Sequence, residues 1–198
     1  MRHGQTLFNV RRKVQGWCDA PLTDLGIEQA KTTGKYFKAC NITFDQAYSS
    51  TSERACDTLE IVTDLPYTRL KGLKEWNFGT FEGESEDLNP KLPYRDFFVS
   101  YGGEEEKAFQ KRAVEACVDI MESSDNTTNT VLAVTHGAFC GQFRKYWDHT
   151  CAPEWKYGGK VGIGNCCIFK YEYEDREFRL VEIVNLEGQG ERISADGN

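Results

Sequence analysis

The chain lacks the marks of several large protein classes. No apolar run approaches the about 20 residues that cross a bilayer. No apolar stretch follows the opening Met-Arg-His-Gly, so no secretory signal is expected, and the closing GERISADGN carries no lipidation pattern. Basic charge is scarce: 24 Lys and Arg against 31 Asp and Glu leave a formal net charge of −7. Proteins that bind nucleic acid by neutralising phosphates carry the opposite sign. Neither a nucleic-acid nor a membrane partner is therefore expected. A local pocket need not share the overall sign, so a small phosphate stays open as a ligand. There is no C-x-x-C pair, which argues against a structural zinc site. The 8 cysteines are irregularly spaced in a chain large enough to fold without bridges, and free thiols in a reducing cytoplasm are the expectation.

What is present suits one globular domain: 198 residues, 39% hydrophobic and 28% charged. Strand-like and helix-like stretches alternate, which predicts an α/β layer fold. Helices are expected over Thr23–Cys40, with Thr23 as cap and Leu25, Ala30, Tyr36 and Phe37 inward, and over Ser52–Val62, with Ser52 as cap. Glu104–Ser123 and Phe139–Asp148 are also expected helices. Phe44–Tyr48 and the apolar run Thr130–Thr135 read as strands, the second buried on both faces. Asp125–Asn129 is a polar loop. Val161–Tyr171 and Glu177–Val184 alternate around Glu174-Asp175-Arg176 and predict a closing hairpin. Leu73–Gly83 reads as a structured loop, and residues 84–103 as a small insert or lid.

Four short blocks carry chemistry. They are Arg2-His3-Gly4-Gln5-Thr6 with Asn9 and Gln15-Gly16, then Ser49–Ala55, then Leu73–Gly83, then Thr135-His136-Gly137. Two of the three histidines are each followed by glycine, and one of these follows the best buried strand. Such a glycine leaves room for a ligand to approach the backbone, whose N–H then faces an anion. Arginine supplies planar forks that match phosphate oxygens. Asn9 and Gln15 add donors, and a glutamate on a structured loop serves as a general acid. Two His, two Arg and one Glu make a phosphoryl-transfer set that needs no metal and no cofactor. Spacing alone does not choose the acid among Glu75, Glu82, Glu84 and Glu86.

These blocks, RHGQTxxNxxxxxQGxxDxPLTxxGxxQA, SSTSERACDT, LKEWNFGTFEG and VLAVTHG, resemble the histidine phosphatase superfamily in its phosphoglycerate mutase-like branch. They span residues 2–137. The resemblance implies a three-layer α/β/α sandwich with a mostly parallel central sheet. It implies that His3 takes the phosphoryl group, and that Arg2, Arg54 and His136 hold its oxygens. It picks Glu75 as the proton donor, and Gly4, Asn9, Gln15, Gly16 and Gly137 as supporting phosphate contacts. The LKEWNFGTFEG block is more similar to the phosphatase members than to the mutases, which are also longer. The implied activity is a phosphomonoesterase on small phosphorylated metabolites. A phosphoglycerate mutase is the alternative, and an inactive phosphate-binding module a second one. Monomer and homodimer are both open.

Other features have two readings. Arg11-Arg12-Lys13 is either a solvated loop or a second anionic subsite. Trp76, Phe78 and Phe81 are read as packing rather than substrate stacking. Cys18 is the thiol whose exposure matters most. The family's first strand runs directly into Arg-His-Gly, and here only Met1 precedes that motif. The native chain is therefore expected to begin several apolar residues earlier, because a nucleophile beside a frayed end is poorly held.

Overall fold

The computed structural model describes residues 1–124, 130–148, 163–186 and 193–194. Three strands, β1 (Gln46–Ser50), β2 (Tyr67–Leu70) and β3 (Val131–Val134), form a parallel sheet in the order β2-β1-β3. Ala47 stands opposite Tyr67 on one side and Leu132 on the other. Successive side chains of a strand point to opposite faces, and β3 shows the result. Leu132 and Val134 enter a core with Ala30, Phe37, Ala55 and Leu59, whereas Val131 and Ala133 pack towards Trp76, Phe109 and Phe139.

Helices α2 (Asp24–Ala39) and α3 (Glu53–Val62) cover the first face. Helices α4 (Glu106–Ser123) and α5 (Gly137–Trp147) cover the second. The three-layer α/β/α order is thus present, with α1 (Leu7–Val10) a single added turn. A second, antiparallel sheet holds β4 (Ile168–Glu174), β5 (Glu177–Val184) and the short β6 (Ile193–Ser194). The β4–β5 turn places Asp175 and Arg176 at φ of 50° and 64°, as a two-residue hairpin loop requires. Phe143 of α5 docks this hairpin through Tyr171 and Phe178, with ring centroids 5.1 and 5.0 Å away.

Several local expectations shift. The strand expected over Phe44–Tyr48 runs over Gln46–Ser50. The edge strand β2 was not anticipated, because Tyr-Thr-Arg-Leu is partly exposed and shows no clean alternation. Leu25 is 53% exposed rather than inward. The buried stripe of α2 is Gly26, Gln29, Ala30, Thr33, Gly34 and Phe37, mostly small or polar residues with one aromatic anchor. Thr23 caps α2 by accepting the Gly26 N–H, whereas Ser52 stands at the α3 cap position with no side-chain capping bond. The first hairpin strand runs over Ile168–Glu174, and residues 161–162 of the expected range lie outside the described residues. The Asp125–Asn129 loop, His149 and Cys151 lie outside the described residues. Among the described residues no helix is long and apolar enough to cross a membrane.

The front of the chain is held from both sides. The N–H of Thr135 donates to Met1 O and that of His3 to Thr135 O, at 2.8 and 2.9 Å. On the other flank the Arg2 N–H donates to Cys167 O at 3.0 Å and the Cys166 N–H to His3 O at 3.2 Å. Residues 1–3 therefore lie between β3 and the approach to β4. Segment 84–103 is tied down as well. The Val14 N–H donates to Glu84 O at 2.9 Å, and Phe98 is fully buried in the aromatic core.

Candidate active site

The site forms where the parallel strands end, which is where open α/β sheets bind ligands. β1 ends at Ser50, β3 leads through Thr135 into His136, and residues 1–3 bring in His3 beside them. The two imidazoles lie edge to face, 5.3 Å between centroids, and both are buried.

His3 is held in one tautomer. Its Nδ1 lies 2.7 Å from the carbonyl of Gly4, so Nδ1 carries the proton and Nε2 keeps its lone pair. Burial, then the charges of Arg54 and Arg2, hold its pKa well below the usual histidine range. His136 is lowered in the same direction, by burial first and then by Arg54, His3, Lys74 and Arg2. Its Nε2 meets Ser50 Oγ at 2.7 Å, and its Nδ1 has no hydrogen-bond partner among the described residues.

Arg54 opens α3 and is fully buried. A buried guanidinium is unfavourable unless its donors are met. Here it donates to the carbonyls of Cys18 (2.9 Å), Gly16 (2.8 Å) and Gln15 (3.5 Å), to Asp19 Oδ1 (2.8 Å), and through Nε to His3 Nε2 (3.3 Å). Arg2 donates to the carbonyl of Ile163 and lies against Gly137. Gln15 accepts from Thr6 Oγ1 at 2.7 Å, and its buried Nε2 has no partner among the described residues. The side-chain oxygen of Asn9 accepts from Thr6 N–H, at 3.0 Å, and from Asn165, at 3.2 Å, so its NH₂ is the end left for a ligand.

The structure separates the four glutamates. Glu84 and Glu86 are exposed. Glu82 accepts four backbone N–H groups, from Gly16, Trp17, Cys18 and Phe78. Glu75 is buried at the start of α5. Its Oε1 accepts from Trp76 and Phe139, and its Oε2 from Ala138 at 2.8 Å. Burial raises its pKa, while those N–H groups and the nearby arginines pull it back only in part.

The glycines do something different from what the sequence suggested. A Cβ on Gly4 would lie 2.5 Å from the Gly26 carbonyl, and one on Gly16 would lie 2.1 Å from the Trp76 carbonyl. Both make room for protein rather than for a ligand. The space beside Gly137 is filled by the Arg2 guanidinium, 3.4 Å away. Arg12 of the basic run pairs with Asp87 at the surface, at 2.5 Å, which fits the solvated-loop reading. Trp76, Phe78 and Phe98 form the aromatic core, with Phe81 packed against it. Cys18 is half-buried, and burial followed by Glu82 pushes its thiol up to about 12, which makes it a poor nucleophile.

Sequence reasoning missed several supporting residues. Asn165 donates to His3 O and Asn9 Oδ1, both at 3.2 Å, from far along the chain and with no local pattern to mark it. Thr58 accepts the Gly4 N–H at 3.0 Å. Arg112 donates to the carbonyls of Gly72, Lys74 and Glu75 and so fixes the loop that presents Glu75. Its helical position gave no hint of this.

Fold and site together define an α/β protein with a cationic, two-histidine pocket at the carboxyl ends of its strands. The chain belongs to the histidine phosphatase superfamily (branch 1), which matches residues 1–186. It is similar to a 2,3-bisphosphoglycerate-dependent phosphoglycerate mutase of Bradyrhizobium sp. (strain BTAi1 / ATCC BAA-1182), 37% identical over 93 residues. That stretch is 44% of this chain and 45% of the relative, so the match spans under half of that protein's length. Among solved structures it resembles a phosphoglycerate mutase from Bacillus anthracis str. Sterne, with TM-score 0.76 and 28% identity, covering 90% of this chain and 88% of that one. It also resembles a phosphoserine phosphatase from Entamoeba histolytica in complex with 3-phosphoglyceric acid, with TM-score 0.76 and 28% identity, over 94% and 95% of the chains.

Proposed function

We propose that this chain is a phosphomonoesterase that needs no metal ion and works on small phosphorylated metabolites through a phosphohistidine at His3. The observation that carries this is the state of His3: a buried, neutral ring with Nδ1 tied to Gly4 and the Nε2 lone pair facing Arg54. In the first step Nε2 attacks phosphorus as the bond to the leaving oxygen breaks, and Glu75 gives that oxygen its proton. In the second, Glu75 takes a proton from water, water attacks phosphorus, and the P–N electron pair returns to His3. Arg2, Arg54 and His136, with the amide groups of Gln15 and Asn9, hold the phosphoryl oxygens, whose charge persists through the transfer.

The similarity of LKEWNFGTFEG to phosphatase members favours hydrolysis, as does the alignment over nearly the whole length of a phosphoserine phosphatase. Phosphoryl transfer between the 3- and 2-isomers of phosphoglycerate is the second reading, favoured by the relatives named as mutases. The free thiols among the described residues fit a cytoplasmic enzyme. The test is hydrolysis of 4-nitrophenyl phosphate in EDTA, from about pH 5 to about pH 8, by wild type and His3→Ala. Activity that survives EDTA and is lost in the variant supports the reading. Conversion of 3-phosphoglycerate to its 2-isomer without phosphate release would replace it with the mutase.

A further inference from the structure

We propose that Glu82 is a positioning residue that sets the phosphate-binding geometry of Arg54 through the backbone of residues 15–18, without touching Arg54. This rests on the reading above that Arg54 holds the phosphoryl group.

The backbone strap of residues 15–18 lies between the two side chains. On one side the N–H groups of Gly16, Trp17 and Cys18 donate to the Glu82 carboxylate at 2.9, 2.7 and 3.1 Å. On the other, the carbonyls of Gln15, Gly16 and Cys18 accept from the Arg54 guanidinium. A carboxylate polarises each N–H it accepts, and the polarised peptide presents a stronger acceptor at its carbonyl. Glu82 thus orients the strap and strengthens two of the acceptors that aim Arg54, the Gln15 and Gly16 carbonyls, whose peptides carry the Gly16 and Trp17 N–H groups.

The indirect route has a physical advantage. A carboxylate in direct contact neutralises a guanidinium and competes with phosphate for its N–H groups. Among the described residues Asp19 is the carboxylate in such contact, and its side chain is 29% exposed, so solvent weakens its hold. Glu82 is one peptide further away. It fixes the strap while leaving the Arg54 charge to act on the ligand. Gly16 belongs to this arrangement, because a Cβ there would lie 2.4 Å from Glu82 Oε1. A solely structural Glu82 would stabilise the loop and leave phosphate affinity alone.

The experiment is titration of inorganic phosphate into wild type, Glu82→Gln, Arg54→Lys and the double variant, each checked for cooperative melting. Glu82→Gln is expected to bind phosphate roughly tenfold more weakly, as loss of a charge-assisted network implies, and to show a raised KM. The double variant is expected to bind no more weakly than Arg54→Lys alone. Wild-type phosphate affinity in folded Glu82→Gln overturns the proposal, and so do fully additive effects. A second measurement needs no variant: added phosphate should move the wild-type amide resonances of Gly16, Trp17 and Cys18 with the same midpoint as the Arg54 Nε–H. Still resonances under saturating phosphate overturn it. Wild type that binds no phosphate and hydrolyses no ester would instead remove the functional reading itself.

Discussion

Arg54 donates its Nε–H to Nε2 of His3 across 3.3 Å, the nitrogen that attacks phosphorus in the proposed reaction. With Nδ1 protonated against Gly4, that bond fixes the direction of the lone pair. An incoming phosphoryl group has to draw the guanidinium onto its own oxygens before the nitrogen can attack. In the proposed reaction the same side chain would orient the nucleophile in the free protein and neutralise charge in the transition state.

Arg54→Lys should therefore lower kcat/KM by about 10²–10³, the cost of losing one preorganised donor to developing charge. Lysine reaches with one ammonium and cannot span the Gly16 and Cys18 carbonyls together with His3. Steady-state kinetics on 4-nitrophenyl phosphate measure it. A loss below about fivefold would show that Arg54 acts mainly in the fold.

Hydrolysis should be fastest in mildly acidic solution. His3 is held low, so it stays neutral and able to attack even below the usual histidine range. Glu75 is held high, so its acid form persists to higher pH than an ordinary glutamate. The rate should fall as rising pH deprotonates Glu75. Glu75→Gln should remove that falling limb, and should slow alkyl phosphates more than 4-nitrophenyl phosphate, whose leaving group needs little help. A profile unchanged in Glu75→Gln would assign the proton to another group.

Stability should move in the opposite direction. His3 and His136 are both lowered in the folded chain, so unfolding takes up protons once the pH drops below about 6.5, their ordinary value. The stability these rings contribute is complete above that pH and is lost as acid is added. Melting temperature should fall from pH 7.5 to pH 5.5, about the span of that titration. The fall should be shallower in His136→Gln and smaller in saturating phosphate, which compensates the added charge.

Gly16→Ala should destabilise the protein by about 2 kcal/mol or more, the range for forced overpacking. The added Cβ meets the Trp76 carbonyl and the Glu82 carboxylate at once, and neither is the end of a freely moving chain. Urea unfolding measures it. A change under about 0.5 kcal/mol would mean the strap relaxes easily.

Much of the site was legible in the chain because its residues are chemically distinctive and sit in short blocks. Arg54 and His136 stand beside a helix start and a strand end that the apolar pattern marks, whereas His3 is marked by its motif alone. The helices were legible from periodicity, with errors of one or two residues at their ends, where caps decide. Leu25 misled because an apolar residue in the first turn of α2 faces solvent, while small and polar residues with Phe37 make its packed side.

By itself the sequence determined the layer architecture, the family and the reactive residue types, since these follow from local periodicity and short motifs. Only the tertiary structure decided which of four glutamates stands at the start of α5, which ring nitrogen of His3 is free, and how Asn165, Thr58 and Glu82 support the pocket. Those choices depend on contacts between residues dozens of positions apart. Burial and hydrogen-bond geometry, which set tautomer and pKa, exist only once the chain is packed.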